Sequence, residues 1–320
     1  MYDIRLYDYE FNLIHIEHSI ISVNAVVKYN DIGSFEAHFP VSAGITLKAL
    51  ENPYLVVVMG DLQALITGKQ ANGNEFILYG KTVNWILSRR VTHKFTTYKT
   101  SFSTNAEILA RTLVEKAFDD VENFVLDDMC NIEYSQEFWR NTANQTSEVV
   151  KDCLDNAGAG HRVLFDRVNK RWVFGVFVGR EIPLIISEAN GNAYDSRFSE
   201  DIQDYYSSGW YEKISANSDE GEWVQIVKDG DKTGIYKWDG VLYGTSASEG
   251  NNSLNNKKWR KITKMQTRNL RFGIDYSLGD IVRVQTEFGE FRQSVKKRIG
   301  GVEMWFENNN FGEEPVFSDV

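Results

Sequence analysis

The chain has 320 residues, enough for about two domains of ordinary size. Apolar residues make up 42% and charged residues 25%, a balance that excludes global disorder. Lysine and arginine number 35 against 45 aspartates and glutamates, a formal charge of −10, which argues against a dedicated nucleic-acid binder with its basic face.

Aromatics are plentiful, with 15 Tyr, 19 Phe and 8 Trp, and proline is scarce, which leans toward β structure. Residues 1–98 read as short strands. In YDIRLYD, Tyr2, Ile4 and Leu6 alternate with Asp3 and Arg5. SIISVNAVVKYN ends at the turn Asn30-Asp31-Ile32-Gly33. SFEAHFP places Phe35, Ala37 and Phe39 on one face and closes at Pro40. Residues 41–53 read as a long exposed connection. Strands at Tyr54–Met59 and Leu62–Thr67 flank Gly60-Asp61. Asn72-Gly73-Asn74 is a turn, because Asn and Gly accept positive φ. Strands at Phe76–Tyr79 and Lys81–Trp85 follow.

The period changes after residue 103. Thr104 with Glu107 predicts a capping box for a helix over 104–118. Thr142 and Gln145 predict the start of a second helix over 142–157, with Val149, Val150, Cys153, Leu154 and Ala157 as its buried stripe and Gly158 as its stop. In the strands after it, Val163 and Phe165 are in phase, and so are Trp172, Phe174, Val176 and Val178. Residues 181–320 return to short strands. GTSASEGNNSLNNKK reads as a polar loop inside a longer insertion near 209–258. The fold class is therefore mainly β with an α+β insertion. The predicted parts are a first β-barrel module at 1–98, an α+β module at 99–180 and a second β-barrel module at 181–320.

Candidate chemistry is sparse. His15 and His18 near Glu10 and Glu17 share neither a helix face nor a strand face, and a metal needs three or four converging ligands. Cys130 and Cys153 form no CxxC pair; Cys153 falls on a helix stripe and Cys130 has acidic neighbours, the wrong surroundings for a reactive thiol. Asp119-Asp120, Asp127-Asp128, Asp219-Glu220 and Glu313-Glu314 are pairs that 45 acids produce by chance. Gly158-Ala159-Gly160 follows a helix instead of opening one, so it is no phosphate loop. Asp229-Gly230-Asp231 lacks the spacing of a calcium loop. No residue is assigned to catalysis, and no cofactor or metal is expected. No window has the ~18 consecutive apolar residues of a membrane span, and the start lacks a secretory pattern.

Four stretches carry a likeness. They are Gly33-Ser34-Phe35-Glu36 with Phe39-Pro40, and Tyr79-Gly80-Lys81 continuing through Ile86-Leu87-Ser88-Arg89-Arg90-Val91. The others are the helix ending at Gly158 with Val163–Asp166 and Val173–Gly179, and Tyr276-Ser277-Leu278-Gly279-Asp280-Ile281-Val282-Arg283-Val284. In this order the chain resembles the tail hub proteins of long-tailed phages, prophages and phage-tail-like particles. The resemblance implies a homotrimeric ring of subunits with two tube-like barrels each, in a virion tail assembled in a bacterial host cytoplasm. The implied partners are distal tail or tail tube subunits, tip or fibre proteins, and DNA or tape-measure protein in transit. No lysozyme, peptidase or fibre segment is recognised after the last strands, so no wall-cutting role is expected. The assembly positions expected from the likeness are Phe35, Pro40, Arg89, Arg90, Gly279 and Asp280, with Gly279-Asp280 as the hairpin turn aiming the last strands. The alternative is a β-rich carbohydrate-binding or glycoside-hydrolase-like tail accessory, which would show exposed aromatics and paired acids in a groove.

Overall fold

Alternation builds the N-terminal strands as the sequence requires. In β4 (Ser34–Pro40), Phe35, Ala37 and Phe39 point into the core. In β3 (Ser22–Lys28), Val23 and Ala25 point inward while Asn24 faces out. β5 (Leu55–Met59) is apolar at every position and buried throughout. The structure, a computed structural model, describes residues 3–92, 101–139, 145–155, 157–214, 221–228, 230, 232–244, 247–307 and 310–320.

These strands join β1 (Ile4–Asp8), β2 (Leu13–Glu17), β6 (Leu62–Asn72) and β7 (Glu75–Thr82) in one sheet. Strands from the other end of the chain enter the same sheet: β13 (Glu181–Ile186), β19 (Ile281–Phe288), β20 (Phe291–Glu307) and β21 (Asn310–Ser318). The sheet has 11 strands in the path β13-β19-β20-β3-β4-β7-β6-β5-β1-β2, with β21 also on β20. β20 is the seam. Its first half pairs with β19, and its second half pairs with β3 from Gly301↔Lys28 to Glu307↔Ser22. This corrects the expectation of two separate closed barrels. Among the described residues the hydrogen-bonded path is open, and a 17-residue strand serves both ends of the chain.

Local signals set most turns. Gly60 and Gly73, at φ +58 and +59, make the tight turns before β6 and β7. The two strands predicted at Phe76–Tyr79 and Lys81–Trp85 are one strand, β7, followed by a 3-10 segment, Val83–Arg89. The connection after Pro40 contains a helix, α1 (Gly44–Glu51). Its first turn is held by the buried Glu17 carboxylate, which accepts from the Ile45 amide at 3.2 Å. No acid in its first turn announces that helix, because the acceptor comes from β2.

The helical module holds β8 (Ser101–Asn105), α2 (Ala106–Ala117), β9 (Phe124–Leu126) and β10 (Ser135–Trp139). It continues with α3 (Thr146–Asp155), β11 (Gly160–Asp166) and β12 (Arg171–Phe177). Asn105 caps α2, accepting from the Ile108 amide at 3.1 Å, in place of the predicted Thr104. Glu107 makes no capping box. Its buried carboxylate accepts from the Cys130 and Ile132 amides at 2.6 and 3.0 Å and pins that loop to the helix. α3 begins at Thr146, whose amide donates to the Arg90 carbonyl at 2.9 Å; the predicted start at Thr142 lies outside the described residues. α3 ends at Asp155, and the predicted stop Gly158, φ +62, turns the chain away, its amide donating to the Asp155 carbonyl at 3.0 Å.

One core joins sheet and helices. Tyr7, Val56, Val58 and Leu65 of the sheet meet Leu113 and Val114 of α2, Cys153 and Leu154 of α3, and Val163, Phe165, Trp172, Phe174 and Val176 of β11 and β12. Val178, predicted in phase with them, is exposed. Phe11 stacks on Phe165 at 4.3 Å, and Phe165 meets Trp172 edge-on at 5.0 Å. Burying a side chain such as Phe165 contributes about 2 to 3 kcal/mol.

The chain divides into two compact units, residues 1–194 with 266–320 and residues 195–265. β14 (Ala193–Asp201) and β18 (Arg260–Thr267) pair and lead the chain into and out of the second. That unit holds β15 (Ser208–Ile214) between β16 (Gly221–Val227) and β17 (Asp239–Val241). α4 (Ala247–Asn255), which replaces part of the predicted polar loop, supplies Leu254 to a small core with Tyr211 and Leu242.

Candidate assembly site

The predicted residues Gly279 and Asp280 lie where both ends of the chain and the helical module converge on Tyr29, the residue after β3. The Tyr29 amide donates to the Gly300 carbonyl in β20 at 2.9 Å. Its hydroxyl donates to the Gly158 carbonyl at the end of α3 at 2.8 Å and accepts from the Gly179 amide beyond β12 at 3.2 Å. The ring stands edge-on to Phe177 at 5.2 Å, with the Arg298 guanidinium 5.2 Å from its centre. Burial pushes the phenol pKa above its ordinary value, so the hydroxyl keeps its proton.

Glycines permit this approach. A Cβ at Gly279, where φ is +87, would stand 2.2 Å from the Tyr29 ring, and one at Gly160 would stand 2.5 Å from the Tyr29 carbonyl oxygen. Gly158-Ala159-Gly160 is thus a helix stop followed by a close approach. The buried Asp280 carboxylate accepts from the Ser277 amide at 2.8 Å and the Arg180 amide at 3.1 Å, fastening the turn before β19 to the start of β13. The hairpin joining β19 and β20 turns at Gly289-Glu290 instead of at Gly279-Asp280, as the pairing Phe288↔Phe291 requires.

A polar network continues from Asn30. Its amide nitrogen donates to the Lys151 carbonyl at 3.0 Å and the Asp155 carboxylate at 2.7 Å. Its oxygen therefore faces His161 Nδ1 at 2.6 Å, which assigns the ring proton to Nδ1. His161 is buried, and burial lowers its pKa to about 4. Asn84 bridges the next layer, donating to the carbonyls of Asp31 and His161 and accepting from the Val163 amide at 2.7 Å. Lys151 and Asp31 close the rim at 2.8 Å.

Arg89 and Arg90 lie elsewhere, at the end of the 3-10 segment. They line a groove of about 870 Å³ with Tyr9, Tyr54, Trp85 and Trp172. Arg89 lies over the Trp85 ring at 5.0 Å. Arg90 lies over Phe118 at 5.4 Å and pairs with Asp120 at 3.1 Å. Phe35 is a core residue of β4, opposite Ala25 and Gly80. Pro40 ends β4 opposite Glu75, and its carbonyl accepts from the Ala43 amide at 2.8 Å before α1. The six residues thus divide among a junction, a groove and a strand.

Among the described residues no three His, Cys, Asp or Glu side chains converge as metal ligands. Burial pushes the Cys153 thiol up to about 12, while Cys130 is exposed. His38 bridges Glu36 at 2.9 Å and Glu75 at 3.1 Å, and the Glu36 bond does most to raise its pKa. Tyr29 and Asn30 carry the junction, yet no pattern around them signals it, because their partners lie more than 100 residues away.

No family model matches this sequence, and no curated protein does either. Solved structures do match. Prophage tail protein gp18 from Listeria monocytogenes superposes with a TM-score of 0.62 at 14% identity, covering 99% of this chain and 94% of that one. A tail protein from Neisseria meningitidis gives 0.61 at 10% identity, with 99% and 97% covered. The 43 kDa tail protein of prophage MuSo2 from Shewanella oneidensis gives 0.60 at 10%, with 99% and 98% covered. The chain has the fold of these tail proteins from end to end.

Proposed function

We propose that this chain is a structural subunit of a phage or prophage tail tip, forming a trimeric hub ring that joins a sixfold tail tube to a threefold tip. The observation that carries the reading is the end-to-end match to tail proteins of similar length. In this reading residues 1–98 and 181–320 each supply one tube-like unit, so three subunits present six. Sharing β20 between the two strand sets supports it, because a seam of backbone hydrogen bonds fixes their spacing within one subunit. Its neighbours are tail tube or distal tail subunits above and tip or fibre proteins below. DNA or tape-measure protein passes through the ring, and the acidic balance of the chain keeps phosphates from adhering. Gly279 and Asp280 hold the subunit's shape, Phe35 and Pro40 shape β4, and Arg89 and Arg90 face neighbours.

Light scattering on the purified chain, alone and with its neighbouring tail proteins, tests this. A particle of three times 36.7 kDa with threefold class averages in electron micrographs is expected. A stable monomer with every neighbour present rejects the ring. A second reading, a carbohydrate-contacting accessory, is favoured by one feature. Trp210 and Trp223 are exposed on the same face of the β15–β16 pair, where Trp210 opposes Gln225 and Glu212 opposes Trp223. Binding to host cell-wall glycan that is lost in Trp223→Ala would support it.

A further inference from the structure

We propose that the groove beside Arg89 is a docking site for an acidic, aromatic-bearing peptide segment of a neighbouring protein. Its walls come from three places in one compact unit: Tyr9 after β1, Trp85 and Arg89 on the 3-10 segment, and Trp172 on β12. Tyr9 packs against the exposed Tyr54 at 5.5 Å and is backed edge-on by the buried Trp172 at 5.7 Å, so the aromatic wall is held in place by the core. Tyr54 on its rim is 66% exposed. Tyrosine, tryptophan and arginine together are the residues that carry binding energy at protein interfaces.

Charge selects the occupant. Arg89, Arg90 and Lys170 line the groove against Glu10, a cationic excess on a chain of net charge −10. Arg90 is neutralised by Asp120, but no carboxylate of the described residues pairs with Arg89 or Lys170. Trp85 supports one face of the Arg89 guanidinium. The N–H edges remain able to grip a carboxylate with two parallel bonds. The aromatic walls take an apolar or aromatic side chain next to that carboxylate. A sugar would need more acids and amides to accept its hydroxyls. Single-stranded nucleic acid also suits arginine and aromatics, but a charge at every nucleotide meets more of the acidic protein's field than the few carboxylates of a short peptide do.

The test uses the full chain and fluorescein-labelled hexapeptides read by anisotropy: Gly-Glu-Asp-Phe-Glu-Gly, its lysine counterpart Gly-Lys-Lys-Phe-Lys-Gly, a serine counterpart, and an oligothymidine. The acidic peptide is expected to bind at least about tenfold tighter than the others, and to weaken as salt rises. Arg89→Ala and Trp85→Ala should each weaken it about tenfold, and Arg89→Lys by less, since it keeps charge but loses the fork. Arg292→Ala, outside the groove, should leave binding unchanged. Circular dichroism reports folding, and Arg89 is exposed enough for its variant to stay folded if Trp85→Ala does not. The proposal is overturned by equal binding of all peptides, by tighter binding of oligothymidine, by indifference to Arg89→Ala, or by no saturable binding up to about 1 mM. Because the isolated chain is measured, failure here leaves the ring reading standing.

Discussion

Tyr29 gathers the ends of β3, α3 and β12 and the turn before β19 with one ring and one hydroxyl. Removing the hydroxyl in Tyr29→Phe strands two backbone groups and should cost about 1 to 2 kcal/mol in urea unfolding. Gly279→Ala should cost more, ~3 kcal/mol, because a Cβ meets the Tyr29 ring and the backbone is at positive φ. His161 gives a pH signature. Its folded pKa, about 4, lies below the ordinary 6.5, so the unfolded chain takes up its proton first. The stabilisation is complete above about pH 6.5 and is lost as pH falls toward 4, by up to ~3 kcal/mol. His161→Asn, which keeps a donor toward Asn30, should flatten that part of the stability profile. Lys151 and Asp31 flank this network at the rim, where Asp31 raises and Lys151 lowers the His161 pKa by less than burial does. Thiol labelling should find Cys130 fast and Cys153 silent until unfolding, since burial raises its pKa to about 12.

At the scale of elements, helices and strands announced themselves where their own residues stabilise them. The stripe of α2 and the alternation of β4 are periodic in the chain, so both were legible. Their ends were less so. The sequence presents Glu107 as a capping residue because a carboxylate in a first turn has a local acceptor role available. Its actual partners, the Cys130 and Ile132 amides, are 23 and 25 residues on. Glu107→Ala should therefore release the 130–132 loop, raising hydrogen exchange at both amides and costing about 2 to 4 kcal/mol, while Glu107→Gln keeps one acceptor and loses less. α1 was missed because its first turn borrows the Glu17 carboxylate from β2. α4 carries no local signal because its sequence is polar and its deeply buried Leu254 faces Tyr211 and Leu242 of other segments.

For the whole molecule, the strand sets at the two ends were each expected to close on themselves. β20 is long enough to serve both, and its Gly300-Gly301 step lets the ladder change partner there. Among the described residues the path ends at two edges, β2 and β13. Edges of this kind pair readily with other strands. If the ring reading holds and the β2 edge takes part in it, oligomer mass should be sensitive to proline in β2, such as Ile16→Pro, with circular dichroism checking that the subunit still folds. A trimer unaffected by that change would place the contacts away from this edge.

Periodicity and the φ preferences of single residues are local, so the β-rich class, the helical stretches in the middle, the Gly60, Gly73 and Gly158 turns and the inward faces of β4 and β11 can be read from the chain alone. Long-range pairing alone puts both ends in one sheet, gathers the junction on Tyr29 and Asn30, and sets the Trp85–Arg89 segment beside Tyr9 and Trp172. Such contacts join residues far apart in the chain, and pairing of this range leaves no mark in any local stretch of sequence.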